Sequence, residues 1–130
     1  MLISFMYNKR EMEIILFLEE NGFAERNNVF SKEIKDNISI LVKDLNAIKI
    51  DFRIIYFKSY GFISDIKFLF EFDKKLVLDL CEFSKKINKF DTGDFSERYI
   101  YVVENKDGVF HFFQNGTEKF KYINDELVFA

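Results

Sequence analysis

The chain has 130 residues, a net charge of −3 at pH 7, 48% hydrophobic and 32% charged side chains, which is a globular rather than a disordered balance. That length suits one domain spanning 1–130, and the acidic balance argues against a nucleic-acid binder, which normally carries a basic surface. One cysteine, Cys81, and one histidine, His111, exclude an internal disulfide and the usual zinc sites built from several such ligands.

The opening stretch, MLISFMY, is apolar. It has no basic residue before it and no cleavage pattern, and it is too short to span a bilayer. The sequence therefore predicts no signal peptide and no membrane span. A cytoplasmic location follows by default, and a single free thiol fits it. Eighteen Phe beside no Trp and no Pro is unusual. Lys, Asn and Ile are also plentiful, a bias that a low-GC gene produces as readily as an aromatic-binding purpose does.

The stretch NKREMEIILFLEENGF, residues 8–23, predicts a well-buried helix. Asn8 can cap it with Glu11 reaching back, and Gly22 suits the left-handed position beyond its end. In VFSKEIKDNISILVKD two periods compete. Ile34, Ile38, Leu41, Leu45 and Ile48 recur at helical spacing. The β-branched density of ISILV favours a hairpin that turns at Lys35-Asp36-Asn37. IKIDFRIIYF then alternates, with Ile48, Ile50, Phe52 and Ile54 on one side, and FISDIKFLFEF does so with Ile66, Phe68, Phe70 and Phe72.

The period changes in DKKLVLDLCEFSKKINKF, where Leu76, Leu80, Phe83, Ile87 and Phe90 predict a second helix capped by Asp73. Cys81 sits on it as a small buried filler. RYIYVVE, VFHFF and TEKFKY read as strands joined by tight turns at Asp107-Gly108 and Asn115-Gly116, and ELVFA adds a short edge strand. The fold class expected is α+β: an antiparallel, mostly meandering sheet with two main helices packed on it.

A two-residue turn at Asp107-Gly108 sets His111 opposite Glu104, and the second turn sets Phe120 opposite His111. One face then holds Ile100, Val102, Glu104, Val109, His111, Phe113, Phe120 and Tyr122. The other holds Tyr101, Val103, Phe110, Phe112, Lys119 and Lys121. His111 beside Glu104 can be read as an acid–base pair or as an ordinary cross-strand polar pair. The second reading is preferred, because acid–base chemistry needs a pocket and a second group that the sequence does not supply.

There is no glycine-rich phosphate loop, no nucleophile elbow and no pair of histidines for a metal. DTGDFSE gathers Asp91, Asp94 and Glu97 in one connection, with a spacing that does not match a calcium loop. No cofactor and no metal are expected.

Small, acidic and without a catalytic constellation, the chain resembles in overall type the immunity proteins of bacterial toxin systems. The resemblance spans the chain loosely and rests on no motif. It implies a non-enzymatic protein that neutralises a cognate toxin, such as a nuclease, through a basic surface on that partner. On this resemblance Asp91, Asp94, Glu97 and Glu104 would meet the partner's cations, with Tyr101 and Phe112 as aromatic anchors. Two alternatives stand beside it. One is a ligand-binding or enzymatic α+β domain with a pocket near His111, Glu104 and Cys81. The other is an accessory protein that acts by oligomerising.

Overall fold

The computed structural model describes residues 7–35, 37–57, 63–85, 98–124 and 126–129. Helix α1 (Lys9–Glu20) begins where Asn8, in an extended conformation, accepts a hydrogen bond from the Glu11 N–H at 2.8 Å. It ends in a Schellman arrangement. The Phe23 N–H reaches the Leu18 carbonyl at 2.9 Å, and the Gly22 N–H reaches that of Glu19 at 3.1 Å. Gly22 has φ +88, the left-handed region that a side chain resists. Lys32 closes this end by donating to the Asn21 carbonyl at 2.8 Å. The second helix, α2 (Lys74–Ser84), starts on Asp73, whose carboxylate accepts from the Leu76 N–H at 3.0 Å.

Among the described residues nine strands form one sheet in chain order: β1 (Ala24–Arg26), β2 (Val29–Lys35), β3 (Ile38–Lys43), β4 (Ile50–Phe57), β5 (Ile63–Phe70), β6 (Arg98–Lys106), β7 (Val109–Gln114), β8 (Thr117–Ile123) and β9 (Glu126–Phe129). All neighbours run antiparallel except β5 and β6, which are parallel. A parallel pair needs a long crossover, and the connection between these two strands contains α2. The fold is thus α+β with a mostly antiparallel sheet, as the sequence predicts. The hairpin reading of residues 29–43 also holds.

Among the described residues three tight turns rest on consecutive positive-φ residues: Asn27-Asn28, Asp107-Gly108 and Asn115-Gly116. Such turns match the twist of the strands they join, and Asn, Asp and Gly tolerate them best. The first turn and β1 have no counterpart in the sequence reading. β1 is exposed along its whole length and so carries no apolar alternation.

Period-two alternation places a registered row across the sheet. Phe30, Val42, Phe52, Phe68 and Tyr101 are successive cross-strand partners, and Val103, Phe112 and Phe120 form a second row. These residues share one hydrophobic cluster with Ile14, Ile15 and Leu18 of α1 and Leu76, Val77 and Leu80 of α2. Phe68 touches Tyr101 in a stacked pair at 5.7 Å and Phe112 edge-on at 5.8 Å.

Two expectations are corrected. Ile48 precedes β4 instead of extending it and is 78% exposed. Phe120 pairs with Phe112, and Lys121 takes the place opposite His111. A bulge causes the second change: Phe113 faces Glu118 while Phe112 faces Phe120, so Lys119 is the extra residue. The shift moves Phe120 and Tyr122 from the face of His111 to the face of the core.

Replacing Gly22 with alanine forces a side chain into the left-handed region and is expected to cost about 1 kcal/mol of stability. Urea unfolding of the variant beside the parent protein measures it.

Candidate functional site

The sheet face away from the hydrophobic cluster holds two sets of ionisable groups. On β4 and β5, Asp51, Arg53, Asp65 and Lys67 form a ladder. The Arg53 guanidinium donates to both Asp51 oxygens, at 3.0 and 3.2 Å, and to Asp65 Oδ2 at 3.3 Å. Lys67 Nζ lies 3.6 Å from Asp51 Oδ2. Asp51 is buried, and its hydrogen bond raises the Arg53 pKa further while burial opposes the rise. Asp65 Oδ1 is buried without a partner among the described residues. Asp51 is the buried member and Arg53 and Lys67 are half-buried, so removing Arg53 would leave the Asp51 carboxylate short of its main partner.

The second set centres on His111. Register places Glu104 opposite it, as the sequence predicts. The hydrogen bond goes elsewhere: His111 Nδ1 donates to the Glu118 carboxylate on β8. Glu118 faces Phe113 and so lies diagonal to His111, within reach of its ring. The Glu104 carboxylate instead lies 3.9 Å from Lys106 Nζ. The imidazole hydrogen bond, with smaller help from Lys121 and Lys106, holds the Glu118 pKa below the usual carboxylate range against the effect of burial. Glu118 is a contact the sequence reading missed. The period-two placement beside Phe113 is the signal that could have found it.

Cys81 lies on α2 and is 8% exposed, and burial pushes its thiol up to about 11. It stays protonated at neutral pH, the form that is a poor nucleophile. It borders a cleft of about 520 Å³ together with Lys32, Glu82 and Lys85. A separate cleft of about 440 Å³ has Phe70, Leu76, Val103 and Phe110 as its floor and Glu104 on its rim. His111 points to the other side of β7 from Phe110 and Phe112; Glu104 stands opposite it across the strands, but neither cleft contains His111, and Cys81 borders a different cleft from Glu104.

The sequence-predicted contact residues divide in the same way. Glu104 is exposed. Phe112 is fully buried and stacks on Phe120 at 4.5 Å, so the core occupies it and no partner can use it as an anchor. Tyr101 is half-buried between Phe68 and Phe120, and burial raises its phenol pKa. Alternation turns both toward the covered row, Phe112 wholly and Tyr101 in part. Asp91, Asp94 and Glu97 lie outside the described residues.

Among the described residues no group of three Cys, His, Asp or Glu is arranged to hold a metal. No helix among them is long and apolar enough to cross a membrane. No protein family matches the chain, and neither does any curated protein or solved structure.

Because the folded Glu118 titrates below its unfolded value, its contribution to stability is present above the ordinary carboxylate pKa. It is lost as pH falls through the folded value. Glu118→Gln is therefore expected to flatten the acid limb of the melting-temperature profile between about pH 5 and pH 3. Thermal melts of both proteins across that window test this.

Proposed function

We propose that this protein is a cytoplasmic immunity protein that binds a cognate bacterial toxin and neutralises it by protein–protein contact. One observation carries the reading. The two side chains best suited to chemistry are employed by the scaffold, Cys81 as a protonated core residue and His111 as a strand-to-strand partner of Glu118. Function then falls to the outer surface. On this reading the two helices pack on one sheet face as a rigid support.

The net charge of −3 favours a basic partner, a nuclease toxin being one such class. Opposite charge speeds encounter and selects partners more than it adds affinity. Glu104 is the acidic candidate that stands exposed, and Asp91, Asp94 and Glu97 are proposed to act with it. Phe112 is left out of the contact because the core takes it, and the half-buried Tyr101 stays a candidate anchor. A ligand-binding reading draws less support, since the cleft that reaches Glu104 includes neither His111 nor Cys81.

The experiment is co-expression with the product of the adjacent reading frame in a bacterial host. The expected result is growth arrest by that product alone, rescue by this chain, and a purified complex that weakens as salt is raised. Absence of both rescue and binding contradicts the proposal.

A further inference from the structure

The end of the molecule around the β3–β4 loop differs from the rest of the surface. Ile48 stands there 78% exposed, the most exposed large hydrophobic side chain among the described residues. Its loop is not loose. Arg10, in the first turn of α1, donates to the Leu45 carbonyl at 2.7 Å and to that of Ile48 at 3.3 Å. The Ala47 N–H closes on the Asp44 carbonyl at 3.0 Å, and Leu45 is buried beneath. An apolar knob is thus held outward on a clamped loop, so binding through it would cost little further ordering.

Ile48 lines one cleft of about 440 Å³, and two more, of about 400 and 440 Å³, share lining residues with it. Two of them share Glu71 and Phe72, and two share Asn46. Their lining carries five carboxylates, Glu11, Asp44, Glu71, Asp73 and Glu104. Two cations oppose them, Lys49 and Arg10, and Arg10 is committed to the loop carbonyls. With Glu104 ion-paired to Lys106 at 3.9 Å, the lining keeps a local excess of two negative charges.

The outer sheet face also exposes apolar side chains, Ile100 at 46% among them, but its charges compensate one another. Arg53 and Lys67 answer Asp51 and Asp65, and Glu118, hydrogen-bonded to His111, lies in the field of Lys121 and Lys106. A face with internally paired charges selects no sign of partner, whereas the loop end selects a positive one.

We infer that Ile48 and the acidic clefts around it are the docking surface for the basic protein partner, an inference that rests on the proposed neutralising role. The partner supplies an apolar pocket for the Ile48 side chain, rimmed by Lys or Arg side chains that reach Glu71 and Glu104. An apolar centre within a charged rim is the usual build of a tight interface.

The test uses the full chain and the purified product of the adjacent reading frame as probe. Ile48→Asp, Glu71→Lys and, as the control on the sheet face, Ile100→Asp are compared by calorimetry, with thermal melts to verify folding. Ile48→Asp is expected to weaken binding about thirtyfold or more, and Glu71→Lys about tenfold, with Ile100→Asp close to the parent protein. Parent-like binding by both Ile48→Asp and Glu71→Lys overturns the assignment while leaving the neutralising role intact. A parent protein that does not bind removes both. Light scattering that shows a dimer dissolved by Ile48→Asp gives the surface to a second copy and likewise overturns it.

Discussion

The fold depends on cross-strand register. Large aromatic side chains reach one face of a nine-stranded sheet because each strand keeps its phase with the next, from Phe30 through Phe52 and Phe68 to Tyr101. A slip of one residue would exchange faces and put phenylalanine in water and lysine in the core. The bulge at Lys119 preserves this phase where the turn alone would break it. It returns Phe120 to Phe112, and Phe120 also meets Tyr101, at 5.2 Å.

The same register decides where the polar groups stand. Residues that alternate with the aromatic row must face the other way, so Asp51, Arg53, Asp65, Lys67, His111 and Glu118 gather on the opposite face. Buried or half-buried there, they pair with one another, with Asp65 Oδ1 left without a partner among the described residues. A buried or half-buried charge is tolerated only with a partner, and cross-strand geometry supplies partners at directly opposite and diagonal positions. His111 is therefore part of the sheet's own electrostatics, and Cys81 is part of its hydrophobic cluster.

Much of this was legible in the sequence because single residues carry the signals. Asn8, Asp73 and Gly22 mark helix ends by what their side chains, or the lack of one, permit. Asp107-Gly108 and Asn115-Gly116 mark turns in the same way. The bulge was not legible. TEKFKY alternates smoothly with or without an extra residue, and only packing against Phe112 selects the register. Ile48 continues the alternation of IKIDF, yet β4 begins at Ile50, and the Ile48 carbonyl accepts from Arg10. The contact site was hardest to read. Tyr101 and Phe112 look like anchors by residue type, but their facing belongs to the whole sheet. Ile48 looks like core by type and stands in solvent.

The register of the C-terminal hairpin is the claim most directly open to measurement. A nuclear Overhauser spectrum of the labelled protein reports which backbone protons of β7 and β8 face each other. Contacts joining Phe112 to Phe120 and His111 to Lys121 are what this account predicts. Contacts joining His111 to Phe120 would contradict it, for they would place that ring on the outer face and take from the core the 4.5 Å aromatic stack that helps close it.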